Sequence, residues 1–254
     1  MAAVTVCTGG ASGIGRATAV ALGRRGASVV VGDVDQAGGE ETAGLVRAAG
    51  GPAEFLRTDI ADAGEVEALV AAAVERFGRL DAAANVAGTH AGLGSLTAEV
   101  TDEDFDTQIR VNLRGTWLCV RAELRQMVSQ GSGSIVNMSS VNGLTGAAGG
   151  VGYSIAKHGI LGLTRTAAVE YAEHGIRVNA ICPGLVDTPL TERALAMEGH
   201  DPDAVLADVI RNIPTGRMAT AEEIGECAAW LCIDSAPYLT GAAITIDGGM
   251  TVRG

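Results

Sequence analysis

The chain has 254 residues, of which 47% are hydrophobic and only 3% aromatic, and its formal net charge is −12. This length fits one α/β domain or two smaller domains. Nonspecific nucleic-acid binding requires basic patches, so this acidic composition argues against a nucleic-acid partner. The five cysteines form no CxxC pair and have no zinc-type spacing, so we expect no metal site and buried free thiols.

Short apolar runs alternate with longer segments along the chain, and turn residues separate them. The predicted strands lie near 3–8, 27–33, 53–58, 80–86, 133–139, 176–182 and 242–247. The predicted helices fill 14–25, 36–49, 63–77, 102–128, 152–174 and 220–234, with one or two more in 188–212. This alternation predicts an α/β fold, a doubly wound parallel sheet of about seven strands with helices on both faces. No linker, repeat or composition shift divides the chain, so 1–254 is predicted to be a single domain.

A glycine loop follows the first predicted strand and precedes the first predicted helix. Gly9 allows the tight turn, while Gly13 and Gly15 let backbone amides and the helix N-terminus approach a pyrophosphate. Asp33 ends the next apolar run, eighteen residues after Gly15. An acid near this offset accepts hydrogen bonds from a ribose 2′-OH and repels a 2′-phosphate. The alternative is a purely structural turn, with Asp33 as an ordinary cap of its strand.

Tyr153 and Lys157 stand four residues apart in a predicted helix, so both side chains project from the same helix face. A free tyrosine has a pKa of about 10, and a nearby ammonium is expected to lower it toward neutrality. Ser140, thirteen residues before Tyr153, is placed to hold and polarise a substrate oxygen. These residues predict a proton donor and acceptor for carbonyl chemistry.

The chain resembles the short-chain dehydrogenase/reductases, in their shorter single-domain branch, along nearly all of its length. The residues that carry the resemblance occur in the family's order and are Thr8-Gly9, Gly13-Ile14-Gly15, Asp59-Ile60, Asn85-Val86-Ala87-Gly88, Asn112, Ser140, Tyr153, Lys157, Asn179, Pro183-Gly184, Thr188 and Asp247-Gly248-Gly249. The resemblance implies a Rossmann-type fold and an oxidoreductase that interconverts a secondary alcohol and a ketone. It implies that Tyr153 is the general acid and base, that Lys157 also binds the nicotinamide ribose, and that Asn112 anchors a water. For Asn112 the alternative is an amide that satisfies a buried backbone group.

The resemblance also implies a set of residues that bind the cofactor. These are Gly9, Ser12, Gly13, Ile14, Gly15, Asp33, Asp59, Ile60, Asn85, Ala87, Gly88, Tyr153, Lys157, Pro183, Gly184, Val186 and Thr188. Asp59 and Ile60 match the pair that contacts adenine, and Asn179 is expected to stabilise the sheet. Val86 stands where the family has a second asparagine, so one supporting hydrogen bond is missing.

NAD is the predicted cofactor, with NADP less favoured. Relatives that prefer NADP usually carry Arg or Lys just before the second motif glycine or just after the second strand. Here those positions are Ser12 and Val34, and Asp33 adds repulsion toward a 2′-phosphate.

The substrate pocket is predicted to include Asn142, Leu144, Gly150, Leu185 and Leu190. The segment 186–216 interrupts the strand–helix rhythm and is expected to form a substrate lid, with a plain connection as the alternative. Because few charged residues are predicted to face inward, we expect a mostly apolar alcohol or ketone. His90 could contact a polar substrate group, or it could be a loop histidine without a role in catalysis.

Two other functions remain open from the sequence. One is a nucleotide-sugar epimerase or dehydratase, and the other is a non-catalytic regulator that binds NAD. By resemblance we expect a homotetramer that pairs the long helices near 102–128 and 152–174. The sequence shows no signal-peptide pattern and no membrane span, so we expect a cytoplasmic protein.

Overall fold

The structure is a computed structural model that describes residues 2–195 and 202–252. Its centre is a seven-stranded, fully parallel sheet in the order β3-β2-β1-β4-β5-β6-β7. The predicted α/β fold with a doubly wound sheet is confirmed. The strands are β1 Val4–Thr8, β2 Ser28–Asp33, β3 Ala53–Arg57, β4 Ala82–Asn85, β5 Gly133–Met138, β6 Ile176–Pro183 and β7 Ala243–Ile246.

The helices connect these strands and cover both faces of the sheet. They are α1 Gly13–Arg24, α2 Gln36–Ala48, α3 Ala63–Phe77, α4 Asp102–Gln108, α5 Thr116–Gln130, α6 Val151–Tyr171, α7 Pro189–Leu195, α8 Pro202–Arg211 and α9 Ala221–Ala229. One core cluster packs α3, α5 and α6 against the sheet, and a second packs α1, α2 and α9 against the other face. Because both faces are covered, central strands such as β1 and β4 are buried along their whole length.

Capping residues mark where several of these helices begin and end. Asp62 caps α3 by accepting hydrogen bonds from the amides of Gly64 and Glu65, and Gly78 ends that helix with φ +87. Thr220 and Glu223 form a capping box at the start of α9. The order of elements therefore follows from the sequence, with ordinary capping chemistry at the boundaries.

The structure divides two helices that the sequence predicts as continuous. The predicted helix 102–128 consists of α4, a π-helical segment at Ile109–Gly115, and α5. A second π-helical segment, Trp230–Asp234, follows α9. A π segment widens the helix and commonly occurs at functional sites. The first of these segments contains Asn112, whose side chain is fully buried.

The expected lid follows β6 and contains α7 and α8. An isolated bridge between Val186 and Ala219 joins its two ends, so both ends are anchored to the body of the protein. Gly199 and the rest of 196–201 lie outside the described residues. Within the described part of the chain, no helix is both long and apolar enough to cross a membrane.

Candidate active site

A cleft of about 500 Å³ opens at the carboxyl ends of the strands, where the order of the sheet reverses between β1 and β4. Ligands of open α/β sheets bind at this position, and the volume suits a small organic ligand. Of the residues predicted to bind cofactor or substrate, those that line it are Gly9, Ser12, Gly13, Ile14, Gly15, Asp33, Ala87, Gly88, Ser140, Asn142, Tyr153, Lys157, Pro183, Gly184, Leu185, Val186, Thr188 and Leu190.

The glycine loop forms one wall of the cleft, and side chains on its glycines would not fit. A Cβ on Gly9 would lie 2.6 Å from the backbone nitrogen of Ala87, and one on Gly15 would lie 1.9 Å from the carbonyl oxygen of Gly9. Gly13 has φ +50, a conformation that side chains rarely adopt. Ser12 stands at the N-cap of α1 without a side-chain capping bond. The loop and the bare helix N-terminus therefore fit a pyrophosphate, which accepts hydrogen bonds from such amides.

Asp33 lies at the end of β2, beside the glycine loop. One carboxylate oxygen accepts a hydrogen bond of 2.9 Å from the amide of Ala11, and the other accepts one of 3.0 Å from the amide of Asp35. The carboxylate is thereby oriented at the edge of the cleft. Arg16, the nearby base, is engaged in an ion pair of 2.7 Å with Glu41.

Ser140, Tyr153 and Lys157 meet at the other end of the cleft. Ser140 follows β5 and lies beside Tyr153, which α6 presents; its hydroxyl accepts a hydrogen bond of 3.1 Å from the amide of Asn142 and helps to stabilise the charged form of the tyrosine. Lys157, one turn further along α6, donates a hydrogen bond of 2.8 Å to the backbone carbonyl of Met138. The neighbouring Ser139 instead donates to the carbonyl of Lys157 at 2.9 Å. Ser140, and not Ser139, is therefore the serine that contacts the tyrosine.

The pKa values differ from the expectation that Lys157 lowers the pKa of Tyr153. Burial raises the pKa of Tyr153 to about 12, and the nearby Ser140 hydroxyl acts in the opposite direction. Burial lowers the pKa of Lys157 to about 8. Desolvation disfavours the charged form of each group, and here it dominates the interaction between them. For the protein alone, the predicted lowering of the tyrosine pKa is wrong.

Asn112 contacts the loop that follows β4, and its side chain does not line the cleft. Its amide oxygen accepts a hydrogen bond of 2.7 Å from the amide of Thr89, and its amide nitrogen donates to the carbonyl of Thr89 at 2.9 Å and to the side chain of Gln108. A Cβ on Gly88 would lie 3.0 Å from the oxygen of Asn112 and 3.8 Å from the ammonium of Lys157. Asn112 thus satisfies buried backbone groups next to the lysine.

Three other residues predicted to bind the cofactor are not among those that line the cleft. Asp59 accepts a hydrogen bond of 2.9 Å from the amide of Ala61, and the side chain of Ile60 packs in the core. Asn85 donates 3.0 Å hydrogen bonds to Glu123 and Asn137. The side chains of Ile60 and Asn85 support the strand ends from within the protein.

Two residues predicted for the substrate pocket, Leu144 and Gly150, also lie outside the lining of the cleft. The 3₁₀ turn at Val141–Gly143 carries the chain away from the cleft, and Leu144 is exposed to solvent. Gly150 begins α6 behind Leu93, which does line the cleft. Of the residues predicted for the substrate pocket in this segment, Asn142 is the one that lines the cleft.

The cleft also contains residues that the sequence analysis did not assign to it. They include Thr89 and Met250. Thr89 and Met250 directly follow the motifs at 85–88 and 247–249, so those motifs could have indicated them. Arg193 also lines the cleft and belongs to the expected lid, although no repeating pattern in the sequence singles out its side chain.

Comparisons with known proteins agree with this geometry. A sequence model of the family described as enoyl-(acyl carrier protein) reductase matches residues 9–251. Levodione reductase from Leifsonia aquatica is 41% identical over 98% of this chain and 94% of its own length. Cis-4-hydroxycyclohexanecarboxylate dehydrogenase from Sinomonas cyclohexanicum is 43% identical over 98% of this chain and 96% of its own.

Solved structures show the same arrangement of the chain. A crystal structure of levodione reductase superposes with a TM-score of 0.95, at 39% identity and with 98% of each chain covered. A single-residue variant of actinorhodin polyketide ketoreductase, crystallised with NADPH, gives a TM-score of 0.91 at 34% identity, covering 98% of this chain and 97% of that one. The structural similarity to both proteins covers 98% of this chain.

Proposed function

The chain belongs to the short-chain dehydrogenase/reductase family, and from this premise we propose that it is an NAD-dependent dehydrogenase of ring-borne secondary alcohols. It is an oxidoreductase of the type that interconverts alcohols and ketones. One observation carries the assignment of the chemistry to particular residues. Ser140, Tyr153 and Lys157 line one end of a cleft whose other end contains the glycine loop and Asp33.

Each residue at the reactive end has a role that its contacts support. When a ketone is reduced, the Tyr153 hydroxyl donates the proton to the developing alkoxide, and when an alcohol is oxidised it receives that proton. Ser140 donates a hydrogen bond to the same oxygen and stabilises its negative charge. Lys157 supplies positive charge beside the tyrosine. The bound nicotinamide cofactor supplies or accepts the hydride.

The choice of NAD follows from Asp33. Its carboxylate is oriented by two backbone amides at the edge of the cleft, where it can accept hydrogen bonds from ribose hydroxyls and repel a 2′-phosphate. Val34, next in the chain, is exposed and offers no positive charge to a phosphate. One structural neighbour was crystallised with NADPH. The similarity to that neighbour is a similarity of fold, and it does not determine which cofactor this chain binds.

The proposed substrate is a secondary alcohol on a six-membered ring, or the corresponding ketone. Leu93, Leu185 and Leu190 line the cleft near its reactive end and offer apolar contact to a ring. A relative that is 43% identical is named as the dehydrogenase of a hydroxycyclohexane carboxylate. The epimerase and regulator alternatives lose support, because whole-chain relatives are named as a reductase and a dehydrogenase.

We further propose a homotetramer in the cytoplasm. Trp117 on α5, and Ile155 and Val169 on α6, expose apolar surface that an interface between copies would cover. The five cysteines are free, which suits a reducing compartment. Light scattering at micromolar concentration tests the assembly, and a monomer would contradict it.

The function is tested by steady-state kinetics on the purified full chain, with NADH and NADPH and a panel of ketones. The panel contains cyclohexanone, a 4-substituted cyclohexanone, an open-chain ketone and acetaldehyde. We expect the highest kcat/KM for a ring ketone with NADH. A higher kcat/KM with NADPH would overturn the cofactor, and a preference for acetaldehyde would overturn the substrate class.

A further inference from the structure

Acidic and basic side chains line opposite ends of the cleft. The acidic ones are Asp33, the last residue of β2, and Asp35 just after it, beside the glycine loop. At the end that contains Tyr153, the lining includes the bases His90, Lys157 and Arg193, and no carboxylate among the described residues. The chain as a whole has a net charge of −12, so this basic end is opposite in sign to the protein that surrounds it. A site of this kind attracts negative charge.

Arg193 projects from α7 into the cleft and is exposed. Within 2–195 and 202–252, no acidic side chain forms an ion pair with it. Its guanidinium offers planar, paired N–H donors that match a carboxylate. Glu192, the adjacent acidic residue on the same helix, is not among the residues that line the cleft.

His90 lies beside Tyr153, and buried amides hold the loop that carries it. Asn112 bonds both backbone groups of Thr89, and Gln108 donates to the carbonyl of Ala91. The imidazole packs edge-on against the Tyr153 ring, with 4.6 Å between the ring centres. The backbone on both sides of His90 is therefore tethered, and its ring is held against the tyrosine.

The imidazole of His90 lacks a hydrogen-bond partner at one of its nitrogens. Nδ1 is buried, and the described protein provides no partner for it. Burial, with the positive charges of Lys157 and Arg193, lowers the pKa of His90 to about 4. The ring is neutral at pH 7, so it carries one donor and one acceptor. The two charges near His90, those of Lys157 and Arg193, are both positive. An anion bound beside the ring would offset them.

We propose that Arg193, with His90 beside it, binds a carboxylate of the substrate while Ser140 and Tyr153 hold the reacting oxygen. This inference rests on the proposed function and narrows its substrate class to ring alcohols and ketones that bear a carboxylate. The guanidinium forms the charged pair, and the imidazole donates a further hydrogen bond. Arg193 is then a specificity-determining residue that contacts a group remote from the reacting carbon.

The kinetic test compares 4-oxocyclohexanecarboxylate with its carboxamide, which has nearly the same shape without the charge. In the wild-type protein we expect the carboxylate to be preferred. Arg193→Met should raise KM for the carboxylate about 10- to 100-fold, the range for a hydrogen bond to a charged group. KM for the carboxamide and for the cofactor should not change. Glu192→Gln, the matched control, should retain the preference.

A binding measurement does not depend on turnover. The imidazole proton resonances of His90, assigned with a His90→Gln variant, are titrated with pH in the presence of cyclohexanecarboxylate or cyclohexanecarboxamide. We expect the carboxylate to raise the pKa of His90 in the wild-type protein and not in Arg193→Met. The carboxamide should leave that pKa unchanged.

Three results would overturn the proposal. The first is equal kcat/KM for the two ketones, and the second is an Arg193→Met variant in which only the KM for the cofactor rises. The third is a His90 titration that the carboxylate leaves unchanged. If no ring ketone is turned over, the proposed function fails, yet the titration still decides whether the carboxylate site exists.

Discussion

The ammonium of Lys157 lies 5.3 Å from the centre of the Tyr153 ring; the lysine is buried and the tyrosine is half-buried. Burial lowers the pKa of Lys157 to about 8 and raises that of Tyr153 to about 12. At neutral pH the tyrosine is therefore protonated and the lysine is mostly charged. This protonation state is the one in which a ketone can be reduced, because the hydroxyl still has its proton to donate.

The first prediction concerns the pH dependence of the two directions. Alcohol oxidation requires Tyr153 to accept a proton, and its raised pKa makes the unprotonated form scarce at pH 7. We expect kcat/KM for oxidation to rise steadily from pH 7 to 10, while that for reduction does not rise over the same range. Profiles in both directions with one alcohol–ketone pair provide the measurement. An oxidation profile that stays flat over this range would contradict the assignment.

The second prediction is that Tyr153→Phe abolishes turnover. The substitution removes the hydroxyl that we propose transfers the proton and keeps the ring that packs against His90. We expect kcat to fall by about 10³-fold or more, since general acid–base groups contribute about 10²- to 10⁴-fold. Binding of NADH, followed by fluorescence, should be nearly unchanged. Tyr171→Phe on the same helix is the control and should retain activity, and substantial activity in Tyr153→Phe would exclude the mechanism.

The third prediction separates the adjacent serines. Ser140→Ala removes the hydroxyl that contacts Tyr153, so kcat should fall about 10²- to 10³-fold, as for loss of an oxyanion donor. Ser139→Ala instead removes a side-chain hydrogen bond to the backbone carbonyl of Lys157, which lies inside α6 and keeps its helical donor. That variant should lose about 0.5–1.5 kcal/mol of stability with a much smaller change in kcat. Kinetics and urea unfolding of both variants distinguish these effects, and the reverse pattern would assign the catalytic role to Ser139.

The sequence was sufficient to predict the sheet and the ends of the cleft, because both depend on local patterns. Alternating apolar runs and helices imply parallel strands, and the carboxyl ends of those strands meet at one edge. The glycine loop, Asp33 and the Tyr153–Lys157 spacing could therefore be placed before the structure was known. The π-helical segment at Ile109–Gly115 could not, since it arises from packing and not from residue type.

Side-chain direction and burial could not be deduced from spacing. The i, i+4 relation of Tyr153 and Lys157 gives their proximity but does not reveal that both are desolvated, so the direction of the tyrosine pKa shift was missed. Leu144 follows an irregular turn, where no period indicates which way a side chain points. Arg193 lies in a lid helix of seven residues, too short for its pattern to show an inward face.

The fourth prediction is a change in cofactor preference in Asp33→Asn. The variant loses the charge that repels a 2′-phosphate but keeps an oxygen for the amide of Ala11. We expect the ratio of kcat/KM for NADH over that for NADPH to fall about 10- to 100-fold, the range for a hydrogen bond to a charged group. Asp62→Asn, at the N-cap of α3 and outside the lining of the cleft, is the control and should preserve the ratio. A ratio that does not change would remove Asp33 from the explanation of cofactor choice.

The fifth prediction concerns Glu123, whose carboxyl is fully buried on α5 and accepts a hydrogen bond from Asn85 at 3.0 Å. Burial raises the pKa of Glu123 from 4.5 to about 8. The folded state therefore retains a proton that the unfolded state has lost. Its contribution to stability is fully present below about pH 4.5 and is lost as pH rises to about 8.

Glu123→Gln removes this dependence, because its amide remains neutral and can also donate toward the unpaired side-chain oxygen of Asn85. We expect similar stability of variant and wild type at pH 5, and a variant more stable by on the order of 3 kcal/mol at pH 9. Urea unfolding across this range measures the difference. Glu75→Gln, an exposed site on α3, is the control and should follow the wild-type profile. If the profiles of Glu123→Gln and wild type run parallel from pH 5 to 9, the buried carboxyl is not protonated in the native state.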